Sequence, residues 1–109
     1  SLLVVNIALT VDAMSLKKEE DGSTNLTKFR SDLTKAISED PHLNKKYSVI
    51  VKSKASTTGF GIPVEVYFTT DVADYTEYCN YTSEWTEKAL AMLPDYGLVP
   101  YQTRINTLT

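Results

Sequence analysis

The spacing of apolar residues switches repeatedly along this chain between a period of two and a period of about 3.6. Apolar side chains occupy every second position in residues 3–12, 47–55, 62–70 and 98–105, which predicts four strands. They recur every three or four positions in residues 25–39 and about 74–93, which predicts two amphipathic helices. The predicted element order is therefore β-α-β-β-α-β.

Local signals mark the ends of both predicted helices. Thr24 or Asn25 can supply the N-cap of the first helix, and Pro41 ends it because proline disfavours helical geometry in the residue before it. The start of the second helix is open, since the third strand can run past residue 70. Pro94 and Gly97 end the second helix.

The alternation within the strands predicts one buried and one largely polar sheet face. In the second strand Tyr47, Val49 and Val51 are predicted to point inward, although Ile50 breaks the alternation. The buried stripe of the second helix is predicted to contain Tyr78, Thr82, Trp85, Ala89, Met92 and Leu93. Right-handed crossovers place both helices on the same sheet face. The predicted fold is a single α+β domain over residues 1–109, a ferredoxin-like βαββαβ sandwich with a four-stranded antiparallel sheet in the order 4-1-3-2.

Composition argues against most enzyme and metal-binding classes. The chain has 109 residues, a net charge of −3, one His and one Cys. Lone Cys79 excludes an intrachain disulfide and a thiolate metal cluster, and His42 has no nucleophile that can be assigned to it. The first loop, residues 12–24, contains neither the paired cysteines of a soft-metal carrier nor an arginine for an anion loop. We therefore expect no catalytic residue, no metal site, no cofactor and no enzymatic activity.

An RNA-recognition domain shares this fold and needs basic and aromatic residues on the outer sheet face. Residues 59–62 resemble part of its third-strand motif, but Thr58 stands where Lys or Arg is expected. The outer face of the first strand offers Asn6, Ala8 and Thr10, which carry no stacking ring. With an acidic chain, nucleic-acid binding is not expected.

The chain is rich in tyrosine, with seven residues. Tyr67 is predicted on the polar sheet face, and Tyr75, Tyr78 and Tyr81 on the second helix. Surplus tyrosine is typical of protein interfaces, but a core position with a solvated hydroxyl is an equal alternative.

Three segments resemble the C-terminal cytoplasmic domain of MscS-like mechanosensitive channels, notably the larger subfamily with long N-terminal membrane regions. They are residues 24–30 at the start of the first helix, 61–69 in the third strand and 89–98 at the end of the second helix, followed by Tyr101-Gln102. The resemblance marks these residues as structural motif positions: Asn25, Phe29, Arg30, Pro63, Glu65, Tyr67, Trp85, Pro94 and Gly97. Thr27, where the family commonly has Gly, and Cys79, where an acidic residue is common, depart from the pattern.

The resemblance implies a domain that performs no chemistry and uses no cofactor. Seven copies would form a hollow cage on the cytoplasmic side of an inner or cell membrane, through which permeating ions pass, in a channel that responds to osmotic stress. The chain starts at Ser1 inside an apolar segment without an initiator Met. We interpret this as a C-terminal fragment of a larger membrane protein whose N-terminal part holds the membrane helices, and we expect the tail, residues 104–109, to lead toward the distal closure of the cage.

A small-molecule-binding regulatory module of the same sandwich fold, similar to ACT domains, is the alternative. Such modules bind a ligand between paired domains and bring a glycine-bearing loop after the first strand close to it. Gly22 is the residue that could serve in such a loop here.

Overall fold

The computed structural model describes residues 3–56 and 59–102. Its elements are β1 (Leu3–Asp12), α1 (Asn25–Ser38), β2 (Ile50–Ser53), β3 (Gly61–Thr70) and α2 (Tyr75–Met92), with short 3-10 turns at Ala13–Ser15 and Leu93–Tyr96. Both predicted helices and the first three predicted strands are therefore present. Thr24 caps α1 by accepting a hydrogen bond from the backbone N–H of Thr27, and Asp74 caps α2 in the same way.

The described strands form one antiparallel sheet in the order β1-β3-β2. β1 and β3 pair along their whole length, from Leu3 opposite Thr70 to Asp12 opposite Gly61. The part of the predicted order 4-1-3-2 that concerns the first three strands, with β3 between β1 and β2, is confirmed.

The predicted four-stranded ferredoxin-like sheet is not confirmed. Within the described residues, the segment after α2 makes one antiparallel bridge to β1, between Pro100 and Val11. The next ladder position is interrupted because Val99 donates its N–H to the Ser15 hydroxyl, which itself donates to the Asp12 carbonyl. A side chain thus replaces a strand-to-strand bond there. Residues 103–105 of the predicted strand lie outside the described residues.

β2 is shorter than predicted, and each end has a physical cause. Before it, the Asn44 carbonyl accepts from the N–H of Tyr47 and the Asn44 side chain accepts from the N–H of Lys46, so a turn captures the backbone. After it, Lys54 donates its N–H to the Pro63 carbonyl, but Pro63 has no N–H to return the bond. The prediction that Tyr47 points inward is wrong: its side chain is exposed, while Val51 is buried as predicted.

Both helices cover the same face of the sheet, and one continuous core lies between the two layers. It contains Val5, Ile7, Leu9, Val11, Val51, Val64, Val66 and Phe68 from the strands and Leu26, Phe29, Leu33, Ile37, Tyr81, Trp85 and Ala89 from the helices. The stripe predicted for α2 is correct for Trp85 and Ala89, and for Leu93 just after it. Tyr78, Thr82 and Met92 are only half-buried, because Tyr81 occupies the inner position one turn before Trp85.

Gly61, the first residue of β3, allows the chain after α2 to approach the sheet. A Cβ atom at this position would lie 2.7 Å from Thr10 Cγ2 and 3.0 Å from the Tyr101 ring. Tyr101 donates its backbone N–H to the Thr10 carbonyl at 2.8 Å, so the ring is held there by the backbone. Close packing of Tyr101 over β1 and β3 therefore requires glycine.

We expect Gly61→Ala to lower the free energy of unfolding by roughly 1–3 kcal/mol, the usual cost of overpacking. Chemical denaturation measures this change. Thr10→Ser removes the methyl group nearest to the new Cβ, so the double variant should recover part of the loss. A double variant in which the two costs simply add would contradict this account of the close contact.

Candidate functional site: the uncovered face of the sheet

The sheet face opposite the helices carries the third-strand motif residues and is open to solvent. It is formed by the even-numbered residues of β1 and the odd-numbered residues of β3, together with Ile50 and Lys52 of β2. Asn6, Ala8 and Thr10 are exposed on it, as predicted. The face as a whole is not uniformly polar, because it divides into a charged half and an apolar half.

Glu65 is the centre of the charged half. Its carboxylate lies 2.6 Å from Lys54 Nζ and 3.6 Å from Lys52 Nζ, and Lys52 is its cross-strand partner in the register. The hydrogen bond from Lys54 is the largest cause that lowers the pKa of Glu65, and the nearby charges of both lysines act in the same direction. We call Lys52, Lys54 and Glu65 the charge cluster.

The apolar half lies at the other end of the same face. Val4, Tyr47, Ile50 and Tyr67 are each between 40% and 46% exposed and, with Ser48 and Thr69, line a shallow depression of about 370 Å³. We call these four apolar side chains the tyrosine patch. Clustered exposed apolar side chains differ from the scattered ones of an ordinary surface and are typical of contact surfaces.

Aromatic side chains continue from the tyrosine patch around the edge of β1. Tyr78 of α2 donates its hydroxyl to the Val4 carbonyl, and the Tyr75 ring stacks on Tyr78 at 6.1 Å between ring centres. Tyr75 is largely exposed. Tyr67 and Tyr75 therefore have the exposure of contact residues, whereas Tyr81 is a core residue.

Asn25 and Phe29 of α1 contact the loop after β1 and the 3-10 turn after α2. Asn25, only 2% exposed, accepts a hydrogen bond from the Lys17 N–H at 2.8 Å and donates to the carbonyls of Ser15 and Tyr96 at 2.9 Å each. Phe29 packs edge-to-face against the Tyr96 ring at 5.8 Å. Asn25 thus joins three segments that are distant in the sequence.

The other motif residues of the helical layer bond to the edge strand β2 or lie at the two ends of the 3-10 helix after α2. Arg30 donates through Nε to the Val51 carbonyl at 3.1 Å and so satisfies a backbone group of the edge strand β2. Pro94 lies in the first turn of the 3-10 helix after α2, and Gly97 ends that helix in the left-handed conformation at φ 71°. Tyr96 between them donates its hydroxyl to Asp32 at 2.6 Å, which raises the pKa of Tyr96 to about 12.

The remaining clefts bring together few groups with reactive chemistry. His42 is exposed, with its ring edge-on to Tyr81 at 5.8 Å, in a cleft of about 400 Å³ that Glu77 and Glu84 also line. In the part of the chain that the structure describes, no three His, Cys, Asp or Glu side chains are grouped so that they could hold a metal ion. Gly22, the residue considered for a ligand-binding loop, has a positive φ of 89° and no atom within 4 Å of where its Cβ would be.

Neither described helix combines the length and the apolar character needed to cross a membrane.

The fold of this chain is similar to that of a domain in MSL1, an MscS-like channel. Among the solved structures with this fold are MSL1 of Arabidopsis thaliana, determined by cryo-electron microscopy, and a single-residue variant of MSL1. Each has a TM-score of 0.75 and 8% sequence identity, and each alignment covers 94% of this chain. The alignments cover 34% and 36% of the MSL1 chains, so this chain spans about a third of their length.

No protein-family model matches the sequence, and the search of curated proteins finds no match either. At 8% identity the likeness to MSL1 establishes the fold.

The charge cluster can be tested for a structural role. We expect Glu65→Gln to leave the protein folded with little change in stability, because solvent-exposed ion pairs contribute little. Since the pKa of Glu65 is lowered in the folded state, any stabilisation by the pairs is present at neutral pH and is lost as the pH falls through that pKa. Urea denaturation at pH 7 and pH 3 measures both effects. Unfolding of the Glu65→Gln variant at pH 7 would reveal a structural role that this geometry does not explain.

Proposed function

We propose that this chain is the cytoplasmic vestibule and assembly domain of a mechanosensitive ion-channel subunit, without a catalytic role. The observation that carries the proposal is the structural match to MSL1 over 94% of the chain. The resemblance of residues 24–30, 61–69 and 89–98 to MscS-like channels also supports it, since these segments lie at the start of α1, on β3, and from the end of α2 through the 3-10 helix after it.

Assembly as a homo-oligomer follows from the proposal, with seven subunits as the family resemblance implies. Channel structures of this kind are oligomeric. The tyrosine patch offers each copy an apolar contact surface: burying about half of a tyrosine or isoleucine side chain contributes roughly 1 kcal/mol. We propose that a neighbouring copy covers the tyrosine patch in the assembled cage.

The charge cluster, unlike the tyrosine patch, is unfavourable to bury in an interface. Lys52 and Lys54 are each about half-exposed, and desolvating three charges in an interface costs more than their mutual attraction returns unless the geometry is ideal. We therefore propose that this half of the face remains in water and lines the vestibule that permeating ions cross.

In this proposal the membrane-spanning part belongs to another region of the subunit. This chain spans about a third of MSL1, which leaves room in a subunit of that size for helices that respond to bilayer tension. The domain would lie on the cytoplasmic side of the inner or cell membrane, and the channel would release solute under osmotic stress.

The direct test is patch-clamp recording from membranes that contain the full-length subunit carrying this domain, with suction applied to the patch. We expect tension-gated currents, and we expect Tyr47→Ser combined with Tyr67→Ser to reduce both the current and the chemically cross-linked oligomer. Leu90→Ser, on the outer side of α2, is the matched control because Leu90 is similarly exposed outside the tyrosine patch.

Two outcomes would contradict the proposal. A full-length subunit that reaches the membrane but passes no current under tension is not a mechanosensitive channel. A patch variant that assembles and conducts like Leu90→Ser would show that the tyrosine patch has no part in assembly.

A further inference from the structure

We infer that Glu65 sets the charge of the water-facing half of the sheet and thereby tunes the balance between anions and cations passing the domain. This inference rests on the proposed function, because it requires that the charge cluster faces the permeation path.

The argument begins with the register of the sheet. Ala8, Glu65 and Lys52 are aligned across the three strands, so the glutamate lies between a small side chain and a lysine. Lys54, at the end of β2, reaches the other carboxylate oxygen at 2.6 Å. A single carboxylate therefore contacts both ammonium groups.

The formal charges on this surface give the direction in which each substitution changes its net charge. Two lysines and one glutamate leave one net positive charge in the charge cluster, and Asn6, Ala8 and Thr10 of β1 add none. Asp12, the last residue of β1 on this face, adds one formal negative charge, so the surface has a formal net charge of zero per copy. Glu65 thus offsets half of the positive charge of the cluster. Glu65→Gln raises the formal net charge of this surface from zero to plus one per copy, and Lys52→Gln lowers it to minus one.

The change of charge in one copy is repeated in every subunit of the assembly, so its effect on permeating ions adds up. In a closed assembly each copy contributes the same charge around the aqueous space, and charges of one sign lining a confined space raise the local concentration of the opposite ion. The lowered pKa of Glu65 keeps its carboxylate ionised at neutral pH, so its offsetting charge is permanent there.

The experiment measures reversal potentials of tension-gated currents from the full-length subunit under a KCl gradient. We expect Glu65→Gln to raise the chloride-to-potassium permeability ratio by roughly 1.5- to 3-fold near 0.1 M salt, as expected for a change in potential of about kT or less. Lys52→Gln should shift the ratio in the opposite direction. Both shifts should shrink near 1 M salt, where the screening length falls to about 3 Å.

Glu87→Gln is the matched control, since it makes the same chemical change on the exposed side of α2. If Glu65→Gln gates normally but has the reversal potential of Glu87→Gln, the inference is overturned while the proposed function stands. If the unmodified subunit passes no tension-gated current, the proposed function fails and the inference falls with it. Circular dichroism of the 109-residue chain checks that each variant is folded.

Discussion

Trp85→Ala is expected to lower the free energy of unfolding by about 3–5 kcal/mol, the range for removing a large aromatic side chain from a core. Trp85 is 5% exposed, and its ring meets Phe68 edge-to-face at 6.2 Å between ring centres. Lys88 lies over the ring, 4.9 Å from its centre, and closes the solvent side. The cavity would open between α2 and the middle of the sheet, where neither layer can close it without losing other contacts.

Urea denaturation followed by circular dichroism measures this loss, because the variant lacks the only tryptophan and gives no tryptophan fluorescence signal. Leu90→Ala, on the exposed side of the same helix, is the control and should change stability by about 0.5 kcal/mol or less. A loss below about 1 kcal/mol for Trp85→Ala would place the indole at a surface and contradict the packing described here.

Local chemistry made much of the fold predictable from the sequence. Thr24 and Asp74 are N-caps, and the apolar periods that follow them extend over several turns. β1 alternates for ten residues without a break, so its buried face could be assigned with no knowledge of its partner. In each case the signal lies within one element.

The prediction for Tyr47 was wrong and that of a fourth strand is not confirmed, and at both places a turn or a side chain distant in sequence competes with the pattern. Tyr47 fits an inward strand position, but Asn44 holds the preceding backbone in a turn. The predicted fourth strand alternates well, but Ser15 takes the N–H of Val99 that a ladder would use. The apolar periodicity of residues 47–55 does not reveal the turn at Asn44, and that of residues 98–105 does not reveal the hydrogen bond from Val99 to Ser15.

The candidate site was predicted only in part, for the same reason. Glu65 and Tyr67 were placed on the uncovered face by alternation alone. Their neighbours Lys52 and Ile50 depend on the register between β2 and β3, which a single sequence does not specify. The available signal was the break in alternation at Ile50, which marks an apolar residue on the polar face.

Asn25→Asp is expected to destabilise the fold by about 3–5 kcal/mol at neutral pH, because two hydrogen bonds from a buried amide are lost and each unsatisfied group costs about 1–3 kcal/mol. The replacement has the same shape, keeps the acceptor for the Lys17 N–H, and turns a donor into an oxygen facing the carbonyls of Ser15 and Tyr96. A negative charge in the first turn of α1 is favourable by only about 0.3–1 kcal/mol, so the helix dipole does not compensate.

The pH dependence separates this mechanism from a simple packing defect. Burial and the two carbonyl oxygens raise the pKa of the introduced carboxyl above its unfolded value of about 3.9. The deficit of Asn25→Asp relative to the unmodified protein should therefore be smaller at pH 4 than at neutral pH, since the protonated acid regains one of the two donors. Asn6→Asp, exposed on the uncovered face, is the control and should show no such difference. A deficit for Asn25→Asp that is constant from pH 4 to pH 7 would mean that the three hydrogen bonds are not what joins the loop after β1 and the turn after α2 to α1.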